Sequence, residues 1–140
     1  MTRLQRTLNT SALCLLGIGA CSSSFADTLS LIRETQTITI AHREASVPFS
    51  YLSENKKPIG YAVDICLKIA EAVKKELKLP QLTINYLQVN GSTRLPAIIG
   101  GKADIECGST TNNADRRKQV AFTIPHFYAT ARMLVRTDSG

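Results

Sequence analysis

A chain of 140 residues, 44% hydrophobic and 20% charged, is long enough for one domain with a real core and too short for two comfortable ones. Its formal charge of +6 is dispersed among acids, with Lys74-Lys75 and Arg116-Arg117-Lys118 among its few basic clusters and no interleaved aromatic motif, which argues against nucleic acid as a partner. Such a moderately basic surface attracts small anions instead.

Met1 to Ala26 carries Arg3 and Arg6 ahead of an apolar run from Ala12 to Ala20, and no acidic residue precedes Asp27. A basic start, a short apolar middle and a small-residue end are the layout of a secretory signal peptide. The run falls short of the about 20 residues that a membrane-spanning helix needs. The chain is therefore divided into a signal peptide at 1–26 and an exported part at 27–140. Ser24-Phe25-Ala26 before Asp27 suits an ordinary signal peptidase and a soluble product, which is the favoured reading. Ile18-Gly19-Ala20-Cys21 resembles a lipobox, which would leave Cys21 lipidated and the protein tethered. After residue 26 there are fifteen basic and eleven acidic side chains, a net charge near +4. Cys66 and Cys107 remain in a compartment where disulfides persist, and the sequence leaves open whether they bond to each other. Their spacing fits no metal motif, and with two histidines in the chain a zinc site is not expected.

Thr37-Ile38-Thr39-Ile40-Ala41 alternates with β-branched residues and predicts a strand that ends at His42-Arg43-Glu44. Phe49 to Leu52 and Ile59 to Ala62 flank the polar stretch from Ser53 to Pro58, which predicts a short hairpin. From Ala62 to Leu77, Val63, Cys66, Leu67, Ala70, Val73 and Leu77 recur at helical spacing. Lysines crowd the last turns of this helix, where its dipole favours them, and Pro80 stops it. Asp64 near its start reads as a capping residue rather than a ligand contact. Leu82 to Leu87 predicts a second strand, and Gly91-Ser92-Thr93 precedes a brief helix from Arg94 to Ile99 that Gly100-Gly101 ends. Ala103 to Cys107 is the third strand, and Phe127 to Val135 reads as a fourth. Alternating strands and helices predict an α/β fold with a parallel sheet.

In such sheets ligands bind beyond the carboxyl ends of the strands. Arg43, Asn90 to Arg94, and Ser109 to Arg116 each follow a different strand end, so three loops are expected to converge on one crevice. The stretch Glu106-Cys107-Gly108-Ser109-Thr110-Thr111-Asn112-Asn113-Ala114-Asp115-Arg116 is the most telling. Its glycine lets backbone come close to a ligand, hydroxyls and free N–H groups follow, and Arg116 offers a planar fork for a carboxylate. Arg94 opens a helix, where the dipole disfavours a cation, so an anionic neighbour is expected. Arg117 and Lys118 read as a solvated face, His42 and His126 as structural residues, and Phe49 and Tyr51 as pocket wall or core.

These residues resemble the N-terminal lobe of a periplasmic solute-binding protein of the polar amino-acid uptake type, close to its glutamate/aspartate-binding members. The resemblance covers roughly Leu29 to Gly140. It rests on Ala41-His42-Arg43-Glu44 followed by Ser46-Val47-Pro48-Phe49-Ser50-Tyr51, on Gly60-Tyr61 leading to Asp64, and on Glu106 to Asn113 with Arg116. It implies a lobe of a type II periplasmic binding protein in which Arg116 clamps the ligand α-carboxylate. Ser109 and Thr111 would add backbone and hydroxyl contacts, with oxygen acceptors toward the α-ammonium. Arg43 and Arg94 match the arginines that face the side-chain carboxylate. Gly91 stands where the family often has serine, so no hydroxyl contact is carried over there.

The implied role is periplasmic capture of an acidic amino acid and its delivery to an inner-membrane ABC permease, without catalysis, cofactor or metal in the chain. The sequence ends at Thr137-Asp138-Ser139-Gly140, near where the family crosses to a second lobe. A single lobe leaves its arginines wet, where ion pairs contribute only about 0–1 kcal/mol each, so weak, millimolar binding is expected. Two alternatives stand beside this reading. The chain is a remnant or split half of such a protein, or it is an enzyme of dehydratase or lytic type on the same scaffold. Glu44 and Glu106 are the carboxylates available to the last, and burial of either one in the crevice would favour it.

Overall fold

The computed structural model describes residues 27–130 and 132–138. The proposed leader and lipidation site, including Cys21, lie outside the described residues. Helix α1 (Thr28–Thr35) leads into strand β1 (Thr37–Arg43) through Gln36, whose left-handed backbone lets its N–H close on the Ile32 carbonyl. The small strands β2 (Ala45–Ser46), β3 (Ser50–Leu52) and β4 (Pro58–Ile59) follow, then helix α2 (Tyr61–Glu76). Strand β5 (Thr83–Val89), helix α3 (Arg94–Ile99), strand β6 (Ile105–Cys107) and the short helix α4 (Ala114–Arg117) complete the order.

The main sheet runs β5-β1-β6, and both pairings are parallel, as the alternation of strands and helices predicts. β1 is the central strand. Its successive side chains point to opposite faces, which divides the core. Ile38 packs with Ile32, Ala70 and Leu77, and Ile40 packs with Cys66 and Cys107, on the side that α2 covers. Ala41 packs with Val89, Ala97 and Ala103 on the side that α3 covers. The helical spacing of apolar residues on α2 is satisfied by this contact, with Ala62, Val63, Cys66 and Ala70 buried.

The predicted hairpin is present: β3 pairs antiparallel with both β2 and β4. The start of α2 is held by backbone, for Tyr61 N–H donates to the Pro48 carbonyl and Ala62 N–H to that of Phe49. No side chain caps this end, so Asp64 does not serve as the cap the sequence suggested. Gly60 makes the approach feasible. Its φ is +122°, and a Cβ there would lie 2.7 Å from the Phe49 carbonyl oxygen.

Two further corrections arise. Phe127 to Val135 forms no strand among the described residues, and Met133 and Leu134 are 88% and 101% exposed. Alternation shows which face a strand would bury, but a strand also needs a neighbour to share its backbone bonds. No such ladder partner is found for this stretch among the described residues. The polar turn after the third strand instead contains α4, capped by the Asn113 side chain, which accepts from Arg116 N–H.

Cys66 of α2 and Cys107 of β6 form a disulfide across 41 residues of sequence. Closing a loop of that length restricts the unfolded chain by about 3–4 kcal/mol in the chain-entropy description. Replacing both cysteines by alanine should lower unfolding stability by roughly that amount. Urea unfolding curves of variant and oxidised wild type provide the check.

Candidate functional site

The parallel register brings the strand ends level: Arg43 pairs with Val89, and His42 with Cys107. The loops after β1, β5 and β6 therefore start from one edge of the sheet, as expected for a crevice at the carboxyl ends. Arg43 leaves β1 there, its backbone N–H donating to the Ser50 hydroxyl at 2.9 Å. Beside it His42 is buried; its Nδ1–H donates to the Arg43 carbonyl, and its ring stands edge-on to Tyr86, which suits a structural role.

The loop after β5 is organised by Asn90. Its side-chain oxygen accepts from the N–H groups of Ser92 and Thr93 and from the Ser92 hydroxyl, while Asn90 N–H donates to the Thr93 hydroxyl. The Thr93 side chain thus does not cap α3; it serves the loop. This knot delivers Arg94 at the first helical position with only 8% of its surface exposed. Its Nε and one terminal nitrogen are buried without a hydrogen-bond partner. Burial lowers the proton affinity of this guanidinium, the Glu106 carboxylate works against that, and Arg116 and Arg43 add to the lowering.

The loop after β6 carries the rest. Ser109 is exposed, and its hydroxyl meets that of Ser46 at 2.7 Å, joining this loop to β2. Thr111 is exposed too; its carbonyl accepts from the Arg116 guanidinium at 2.8 Å, which fixes the fork across its own loop. Arg117 bonds the Asn112 side chain and Lys118 pairs with Asp115, both in exposed positions.

The residue that sequence reasoning undervalued is Glu106. Its Oε1 is buried without a hydrogen-bond partner, and burial raises its pKa above the ordinary carboxylate range. The nearby Thr110 hydroxyl and the charges of Arg94, Arg43 and Arg116 oppose that rise. All three predicted arginines, from β1, α3 and α4, therefore act electrostatically on one carboxylate. Glu44, by contrast, is exposed and accepts from the Gln88 amide.

Two cavities adjoin this region. One of about 180 Å³ is lined by Arg94, Glu106, Gly108 and Thr110 together with apolar residues of α2 and α3. The other, about 350 Å³, lies between the loop from Gly108 to Asn112 and the segment from Phe122 to Ala129, with Phe49 in its wall. Of the three arginines, Arg94 lines the first of these cavities, and Arg43 and Arg116 line neither. Among the described residues no group of three His, Cys, Asp or Glu side chains could hold a metal ion, and no helix is long and apolar enough to cross a membrane.

The family model for bacterial extracellular solute-binding proteins, family 3, matches residues 38–140. The chain belongs to that family. It is 49% identical over 127 residues to the L-glutamate/L-aspartate-binding protein of Pseudomonas aeruginosa, covering 90% of this chain and 42% of that protein. It is 42% identical over 109 residues to the glutamate/aspartate import solute-binding protein of Escherichia coli, covering 78% and 36%. The chain thus spans less than half the length of these relatives. Among solved structures, an ancestral cationic amino acid solute-binding protein superposes with a TM-score of 0.64 at 23% identity, over 72% of this chain and 41% of that one. The arginine-bound domain 1 of TmArgBP superposes with 0.62 at 21% identity, over 71% of each. The described residues accordingly form an α/β, parallel-sheet lobe of the type II periplasmic binding kind.

The Glu106 environment fixes how stability depends on pH. A carboxyl whose native pKa is raised keeps its proton to higher pH than it does in the unfolded chain. In that interval the native state holds more protons, so this group's contribution falls as pH rises through it and is restored on acidification. Glu106→Gln should therefore gain stability over wild type at neutral pH and lose that advantage in mild acid, as read from thermal unfolding across the range.

Proposed function

We propose that this lobe binds an acidic amino acid, glutamate or aspartate, as part of the extracytoplasmic substrate-binding component of an ABC transporter. The observation that carries the reading is the buried Arg94 guanidinium with two unpartnered nitrogens, which feels the charges of Arg43 at the end of β1 and Arg116 in α4. A buried, unpaired donor is costly, and a ligand carboxylate supplies the missing acceptor. Arg94 and Arg43 take the side-chain carboxylate, Arg116 takes the α-carboxylate, and Ser109 and Thr111 supply hydroxyl and backbone contacts near the α-ammonium. The names of the P. aeruginosa and E. coli relatives, both glutamate/aspartate-binding proteins, support the ligand class. Residues 1–26 act as the export signal, the exported part is 27–140, and the site of action is the periplasm, with an inner-membrane permease as the receiving partner.

Calorimetric or NMR titration of the purified chain with L-glutamate, L-aspartate, L-glutamine and L-lysine tests this. The two dicarboxylates should bind ahead of the others, and Arg94→Met should weaken them by at least about tenfold, or about 1.4 kcal/mol. Equal binding of all four, or unchanged affinity in the variant, would count against the assignment.

A second reading has a specific observation in its favour. Glu106 is a buried carboxyl with raised proton affinity at a strand end, which is what a general acid requires. An ancestral cyclohexadienyl dehydratase is also among the similar folds, at 21% identity and a TM-score of 0.62. The surrounding guanidiniums suit a bound anion better than a reacting centre, and the curated relatives are named as binding proteins. Chemical conversion of a dicarboxylic amino acid by the purified chain, abolished in Glu106→Gln, would reverse this preference.

A further inference from the structure

We propose that Glu106 makes anion binding at this site proton-linked: its carboxylate lies over Gly108 beside the Arg43 stem and shares a cavity with Arg94 without pairing with either, and it gives up its charge by taking a proton when the ligand enters. The inference rests on the ligand class proposed above and adds proton uptake to the binding step.

The geometry starts from Gly108. A Cβ at that position would lie 2.6 Å from Glu106 Oε1 and 3.0 Å from Arg43 Cγ. The missing side chain is therefore what allows the carboxylate and the arginine stem to fold together over the loop. Arg94 approaches from α3, Arg43 from β1 and Arg116 from α4, and each favours the charged form of Glu106, as does the Thr110 hydroxyl from the adjoining loop. On the same chain segment Asp104 is engaged elsewhere, its carboxylate accepting from Thr39 N–H at 2.7 Å. From α2 the cavity receives Ala62, Ile65, Cys66 and Ile69, none of which carries charge, while His126 also lines it as a further titratable side chain. Glu106 is thus a half-buried carboxylate, with Oε1 unpartnered, whose favourable neighbours are the cations that an incoming dicarboxylate needs.

Entry of that ligand has two effects on Glu106. It draws the guanidiniums toward its own oxygens, and it places like charge nearby. Both disfavour the ionised form, and burial already does so. A proton passes from solvent buffer to the Glu106 carboxyl, and no other bond changes. By linkage, whatever raises the proton affinity of Glu106 on binding must make binding tighter as pH falls. The trend holds down to the range where the ligand's own side-chain carboxyl protonates, near ~4.3.

Calorimetry with L-glutamate between about pH 5 and 8, in buffers of differing ionisation enthalpy, tests the proposal. Wild type should bind more tightly as pH falls, by up to about tenfold per unit, with net proton uptake. Glu106→Gln should show a flat profile without uptake, and Glu106→Asp should retain the slope. In wild type carrying 13C-labelled glutamate carboxyls, the Glu106 signal should titrate at higher pH once ligand is added. The same slope and uptake in wild type and Glu106→Gln, or an unmoved Glu106 titration in the presence of bound ligand, would overturn this inference alone. Absence of glutamate binding by both proteins at every pH would overturn the proposed function and this inference with it.

Discussion

Everything at the site depends on the backbone pairing of β1 with a parallel neighbour on each side. Because both ladders share the same direction, the exits of three strands lie along one sheet edge, and the register aligns Arg43 with Val89 and His42 with Cys107. A slip of one residue in either ladder would turn that strand's side chains to the opposite face. The alternation of Ile38, Ile40 and Ala41 between the α2 and α3 sides opposes such a slip, since it would move these buried side chains to the wrong side. The core thus sets the register, and the register places the cations. The disulfide adds to this by joining α2 to the last residue of β6, next to Glu106 and Gly108.

The electrostatics of the site follow from an imbalance between burial and pairing. Arg94 is the most buried of the three arginines, and it keeps two nitrogens without partners. Arg116 is tied to the Thr111 carbonyl, and Arg43 is anchored through its backbone to Ser50. The charges of all three favour the ionised form of Glu106, and burial works against it. Removing water from both signs of charge without closing a hydrogen bond between them is unfavourable unless another group completes the arrangement. In the proposed function a ligand carboxylate is that group.

Much of this was readable from the residues. β1, β5, α2 and α3 were legible because their apolar spacing is regular and Pro80, Gly100 and Gly101 mark the ends. Helix α1 carried too faint a pattern, with Ile32 as its one buried residue. The stretch from Phe127 to Val135 has the composition of a strand, yet pairing is a property of neighbours and is not written in the segment itself. Arg43, Arg94 and Arg116 could be expected near one sheet edge because each follows a strand end. The place of Glu106 could not, since it depends on a glycine two residues on and on side chains from three other elements. The pairing of Cys66 with Cys107 was likewise a matter of distance in the fold.

The hydrogen-bonded loop around Asn90 has a consequence for affinity. Its carboxamide oxygen gathers the Ser92 and Thr93 amides, and Arg94 N–H in turn donates to the Asn90 carbonyl at 3.2 Å. The backbone therefore fixes the point from which the Arg94 side chain departs, and burial of all but 8% of that residue narrows the rotamers open to it. A side chain confined in this way has less conformational freedom to lose on contact, so part of the entropic penalty of ordering it is met during folding.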